Sequence, residues 1–172
     1  MSQPSVANFP KPTSITGGCL CGAIRYRVDF PKDHDFLKSS GTCHCTQCRR
    51  QTGALFYAAH SVFLAHLTYL NPANTLTKYH ATPGIERAFC GRCGSFLYWR
   101  NEAKEDMGLA VGSVDPEFLV GGDGQAGFGF ALANMAGDNE WCENVIPGVT
   151  DGMTGDDRGD KWATNKEARI RM

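Results

Sequence analysis

The chain has 172 residues, of which 42% are hydrophobic and 20% charged, with a net charge of -1. That length is enough for one domain hiding roughly 70% of its unfolded surface, so it does not need disulfides to fold. A near-neutral charge without like-charge blocks gives no footprint for nucleic acid, and no run approaches the roughly 18 apolar residues of a membrane span.

The opening "MSQPSVANFPKPTSITGG" carries three prolines and no apolar run. It resembles neither a secretory signal nor a transit peptide, which points to a cytoplasmic protein. Residues 1–14 are expected to be a disordered lead-in, and residues 15–172 a single domain. Next comes "CLC", Cys19 and Cys21, read as an extended segment whose i and i+2 thiols share a face. In "AIRYRVDF", Ile24, Tyr26, Val28 and Phe30 alternate with Arg25, Arg27 and Asp29, the period of a half-buried strand.

"GTCHCTQCRR" places Cys43, Cys45 and Cys48 within six positions, with one helical turn expected through "TQCRRQ". The runs "ALFYAAHSVF", "LTYL", "LTKYHA", "IERAFC", "SFLYWR" and "GLAVGSV" then read as short strands separated by "NPAN", "TPG" and "CGRCG" turns. Many short strands with little helical periodicity predict an all-β domain. Beyond "SVDPEFL" the chain turns glycine-rich, and we expect loop with one strand around Phe128–Leu132. Phe128, Phe130 and Trp141 are read as core aromatics, with a pocket wall as the alternative.

Eight cysteines in a reducing compartment stay thiols unless a metal takes them. Cys90 and Cys93 of "CGRCG" have zinc-ribbon spacing, the glycines allowing the tight turn that aims both sulfurs inward. Taken alone, each pair also reads as a redox dithiol or two buried thiols. A redox role is disfavoured because no βαβ pattern surrounds the motif. Together, Cys19, Cys21, Cys90 and Cys93 make a closed structural zinc site. Cys43, Cys45 and Cys48 leave a fourth position open, as catalytic zinc does. Arg49 and Arg50 follow them and either offset the negative charge of a trithiolate zinc, bind an anionic substrate, or are a solvated pair. A histidine closing this set would make it structural instead. His44 alternates with its cysteine neighbours and so faces away; His60, His66 and His80 read as satisfied strand histidines, and His34 as a loop residue. Cys142 reads as a buried free thiol.

The segments "GGCLCGAIRY", "CHCTQCRRQTGALF", "FCGRCGSFLYW" and "VGSVD", from Gly17 to Asp115, resemble the glutathione-dependent formaldehyde-activating enzyme family, which also includes centromere protein V. The resemblance implies an Mss4-like β-tent of zinc-stapled antiparallel sheets. It implies two zinc ions per chain, one structural on Cys19, Cys21, Cys90 and Cys93 and one labile and catalytic on Cys43, Cys45 and Cys48. It implies a carbon-sulfur lyase with glutathione as co-substrate, acting on a thiol adduct of formaldehyde or another small electrophile. Residues 116–172 are then a glycine-rich extension beyond the family core of about 17–115. The alternative is a non-catalytic, zinc-stapled adaptor module, which the lack of a basic extension disfavours; thiol sensing by the Cys43–Cys48 loop is a third reading.

Overall fold

The computed structural model describes residues 8–122, 124–155 and 160–164. In chain order the elements are β1 (Ser14–Gly18), β2 (Arg25–Asp29), β3 (Ser40–Cys43), α1 (Thr46–Thr52), β4 (Tyr57–Phe63), β5 (Leu67–Tyr69), β6 (Leu76–Thr82) and β7 (Ile85–Cys90). There follow β8 (Phe96–Asn101), β9 (Asp106–Ala110), α2 (Pro116–Leu119), β10 (Gly121–Gly122), β11 (Gln125–Ala126), α3 (Gly129–Ala133), β12 (Asp138–Glu140) and β13 (Asp160–Lys161). The fold is all-β, as the run of short strands predicts. A three-stranded sheet has the order β1-β2-β5, and an eight-stranded sheet the order β13-β12-β3-β4-β9-β8-β7-β6. No helix among the described residues is long and apolar enough to cross a membrane.

The alternation in β2 is realised: Ile24, Tyr26 and Val28 are buried, while Arg27 and Asp29 are exposed. These side chains share one core with Val62, Leu97, Met107 and Leu109 of the large sheet, each burial worth roughly 1.5–3 kcal/mol. In β4, His60 and Val62 are buried in that core, and the alternate residues Tyr57, Ala59 and Ser61 line a cleft on the sheet's other face. The small sheet is fastened to the turn after β9, where Arg25 Nη1 donates to Asp115 Oδ1 at 2.8 Å. That hydrogen bond, ahead of the other contributions, holds the Asp115 carboxyl below its ordinary range.

Three expectations need correction. Phe9 is only 8% exposed and meets the Phe130 ring edge-on at 5.1 Å, so the 1–14 lead is anchored at Phe9 and Pro12; its first seven residues lie outside the described ones. Cys19–Cys21 is a turn rather than extended chain, with Gly22 N donating to Cys19 O at 3.0 Å. Phe128–Leu132 holds no strand: α3 begins at Gly129, and its neighbours Ala131 and Leu132 are both fully buried, a pattern that a short apolar run cannot distinguish from a strand. Of the short strands in the extension, β12 pairs in parallel with β3, Glu140 opposite Cys43. Asn139 anchors it, accepting from Thr42 Oγ1 at 2.7 Å and donating to the Met135 carbonyl at 3.1 Å.

His34 is not a plain loop residue. Its Nε2 lies 2.9 Å from Nε2 of the fully buried His60, while His60 Nδ1 faces the Leu132 carbonyl at 3.1 Å. A carbonyl only accepts, so His60 Nδ1 carries the hydrogen and its Nε2 accepts from His34. A second proton on His60 would set two N–H groups against each other. Burial first, then the His34 charge, depress His60 from 6.5 to about 3. The unfolded chain therefore takes up this proton first: the contribution is full above pH 6.5 and is lost as pH falls toward 3. Below pH 6.5 the slope from this one group should approach about 1.4 kcal/mol per unit. Urea melts of zinc-loaded wild type and His60→Gln between pH 6 and 4 check this, with a shallower slope expected for the variant; parallel slopes would contradict it.

Candidate metal centres and cleft

The first sulfur set forms where two hairpin turns meet. Cys90 and Cys93 occupy the turn from β7 to β8, closed by Gly94 N donating to Cys90 O at 2.8 Å, with Gly94 at φ +77°, a left-handed conformation that favours glycine. Cys19 and Cys21 come from the turn between β1 and β2. The four Sγ atoms all lie within 4.8 Å of one another, with Cys19–Cys21 at 3.6 Å and Cys21–Cys90 at 3.9 Å. Tetrahedral zinc with bonds of about 2.3 Å needs sulfurs about 3.8 Å apart, so the set fits the ion. Its surroundings act unequally on the four: Cys21, against the lowering Ala23 amide, is pushed up to about 11 by burial and the neighbouring thiols. Ile24 N donates to Cys19 Sγ at 3.2 Å, and the Ser95 hydroxyl, followed by the Ser95 and Cys21 amides, pulls Cys93 down to about 5.

The second set, Cys43, Cys45 and Cys48, also lies within 4.8 Å, and no histidine or carboxylate joins it among the described residues. Cys43 ends β3, paired with Tyr57 on one side and Glu140 on the other. Cys45 is the N-cap of α1, its sulfur accepting from Cys48 N at 3.3 Å, and Gly53 at φ +69° stops the helix. Crowding splits these thiols. Hydrogen bonds from Cys43 and Cys48 hold Cys45 far below the ordinary thiol range, and Cys45 and Cys48 push Cys43 far above it. Cys48 ends at about 12: the Cys43 hydrogen bond and the more distant Arg87 charge lower it, but Cys45 and burial outweigh them. The three oppose one another's ionisation, and a divalent ion is what lets all three ionise.

The three-sulfur set opens into a cleft of about 510 Å³ on the outer face of the large sheet, a size ordinary for small-molecule sites. Trp99, Asn101 and Asp106 form one side, and Asp138, Glu140 and Trp141 of the extension the other. None of the four-sulfur set lines it. Trp141 is therefore a cleft residue, held at φ +59°, whereas Phe128 and Phe130 pack on the core.

The two arginines singled out after Cys48 do not reach the cleft lining. Arg49 donates to the Leu55 carbonyl at 2.9 Å and also to that of Asn144, tying α1 to the extension, and Arg50 is exposed. The arginine of the cleft is Arg87, which sequence reasoning missed. Only the strand period of "IERAFC" relative to Cys90 could have pointed to it. His44 is fully buried, its Nε2 3.1 Å from the Met153 carbonyl, and is no member of the sulfur set. Cys142 is a buried thiol donating to the Asn139 carbonyl at 3.2 Å. A third cluster, His80, Glu86 and Glu102, already has a cation in it, Lys78 Nζ at 3.0 Å from Glu86.

Residues 14–123 match the family model described as glutathione-dependent formaldehyde-activating enzyme. A Halomonas elongata protein carrying the family's name is 34% identical over 90 residues, 49% of this chain and 54% of that protein. The chain thus spans about half the length of that relative. An Emericella nidulans protein of the same name is 27% identical over 142 residues, covering 81% of this chain and 71% of its own. The crystal structure of a Rhodobacter sphaeroides protein aligns with a TM-score of 0.48 and 26% identity, over 66% of this chain and 98% of that one.

The two sets should respond differently to loss of one sulfur. Cys90→Ser, at a fully buried position joining two distant turns, should destabilise the protein on the scale of a lost native cross-link, roughly 2–5 kcal/mol. Cys48→Ser should stay within about 1 kcal/mol of wild type. Thermal melts followed by far-UV circular dichroism decide, and equal losses would remove the distinction between the sets.

Proposed function

The chain belongs to the glutathione-dependent formaldehyde-activating enzyme family, and on that premise we propose that it is a zinc-dependent carbon-sulfur lyase. Its substrate would be a glutathione adduct of an aldehyde or another small electrophile. The observation that carries this reading is the unequal placement of the sulfur sets: the complete one lies outside the cleft, and the incomplete one lines it. In this reading Cys19, Cys21, Cys90 and Cys93 hold a structural zinc, and Cys43, Cys45 and Cys48 a second, more labile one. When bound there, zinc supplies Lewis acidity at its remaining position, stabilising a thiolate or polarising a carbonyl near neutral pH.

The chain's own residues supply the rest. The three cysteines hold the ion at the cleft wall, and Tyr57, whose ring meets Phe96 edge-on at 5.3 Å, gives that wall an apolar, water-poor surface. Trp99 and Trp141 offer flat apolar faces. Lys38, also in the lining, offers charge opposite to the carboxylates of a glutathione-like thiol. In the addition direction the bond made is C–S and the thiol proton ends on the carbonyl oxygen; elimination is the reverse.

Zinc-loaded protein incubated with glutathione and a panel of aldehydes and preformed adducts, read by mass spectrometry, should form or cleave at least one hemithioacetal faster than the buffer does. Titration with a chelator should remove one metal first, and turnover should disappear with that metal. A protein that turns over nothing, or stays fully active after that loss, contradicts the proposal.

A further inference from the structure

Arg87 stands apart from the paired cations among the described residues. It is 4% exposed, and its Nη1 is buried without a hydrogen-bond partner. Nη2 donates to Gln47 Oε1 at 2.6 Å. The ion pairs among the described residues use Arg25, Arg27, Lys78 and His80, and none includes Arg87. A guanidinium does not shed its proton in a protein, and a buried charge without a counter-charge is among the costliest features a fold can carry. Something must therefore oppose it.

Asp106, Asp138 and Glu140 also line the cleft, but none of them forms an ion pair with Arg87, which leaves the sulfur set as the negative charge beside its Gln47 partner. Gln47, which holds Arg87, immediately precedes Cys48, and Arg87 lines the same cleft as Cys43, Cys45 and Cys48. Three thiolates around a divalent ion sum to one negative charge, equal and opposite to the guanidinium. We propose that Arg87 is the counter-ion of the three-sulfur metal centre, and that its charge biases the open position toward an anionic ligand, a thiolate, over a neutral one. The inference rests on the zinc reading above. A thiolate in the fourth position raises the centre to two negative charges, which the buried cation partly offsets, whereas a neutral ligand gains nothing from it. Arg87 acts here through the metal site, as a positioning and tuning residue.

The test uses metal-loaded wild type, Arg87→Gln, Arg87→Lys and Gln47→Ala, with the metal of the four-sulfur set as an internal sign of correct folding. One readout is the rate at which the labile metal passes to a chelator. The other is the visible spectrum of cobalt-substituted protein titrated with glutathione, with 2-mercaptoethanol, a thiol without a carboxylate, and with imidazole, a neutral donor. Arg87→Gln should release metal about 10–100-fold faster and bind the thiol at least as much more weakly, with imidazole affinity little changed and Arg87→Lys intermediate. Wild-type release and thiol affinity in Arg87→Gln would overturn the proposal; so would a loss confined to glutathione, which would make Arg87 a carboxylate anchor instead. Should Arg87→Gln lose the four-sulfur metal, Gln47→Ala, on the exposed side of α1, decides: a smaller change in the same direction supports the proposal, and none overturns it. A wild-type protein whose three-sulfur set takes no metal removes the zinc reading and this inference together, whereas a loaded wild type beside an unaltered Arg87→Gln removes this inference alone.

Discussion

Four sulfurs brought together from two turns are the constraint on which the remaining geometry depends. Cys21 and Cys90 are 69 positions apart in the chain and 3.9 Å apart in space, with N–H donors directed at the sulfurs. Such a cluster suits anionic sulfur around a cation far better than four neutral thiols. It joins the β1–β2 turn to the β7–β8 hairpin, and those two strands carry Arg87 and Trp99 toward the cleft. The position of the cleft wall relative to Cys43, Cys45 and Cys48 thus follows from a junction outside the cleft.

Much of this was legible in the sequence because it rests on short-range patterns. The alternation of Tyr26 and Val28 with Arg27 and Asp29 is a direct imprint of a two-residue period on a one-sided sheet. The helical turn after Cys45 and the grouping of seven cysteines into a four and a three likewise follow from spacing. What escaped was set by backbone and polar side-chain bonds that leave no apolar pattern in the sequence. The turn at Cys19–Cys21 is imposed by bonds back to Ile24 and Gly22, and β12 is held by the buried Asn139 amide rather than by an apolar stripe. A lone arginine inside "IERAFC" reads like any other strand residue, and only the packed sheet places it opposite Gln47.

The glycine-rich extension has a structural rationale of the same kind. Beside the core contacts of Phe118, Phe128, Phe130 and Leu132, Asn134 Nδ2 donates to the carbonyls of Phe36, Phe130 and Ala131 at 3.0–3.1 Å, and Arg49 ties α1 to Asn144. Side-chain bonds to backbone here add to hydrophobic burial. Their consequence lies at the cleft, where Glu140 sits beside Cys43 in register and Trp141 faces the opening. A Cβ at Gly127, Gly129 or Gly137 would fall within 2.7 Å of a backbone atom, so the course of the extension to the cleft depends on these glycines as well as on its polar contacts.

The surroundings of the incomplete set decide how much its charge matters. Cys48 packs with Tyr57 and Ala110, with Phe96 and Trp99 close by, and in such apolar surroundings charges act on one another far more strongly than in water. The same surroundings make three free thiolates untenable, which is why the trio divides so unequally between protonated and ionised forms in the absence of a cation. A metal resolves the repulsion but leaves a net charge that an apolar wall cannot screen. The four-sulfur set, with Cys21 exposed at the turn, has solvent and backbone amides beside it; the three-sulfur set faces an apolar cleft wall, with Cys48 buried, and there a side chain meets the charge. A single buried guanidinium answers that need while leaving the fourth position open, something a fourth cysteine or a histidine at the same place could not do.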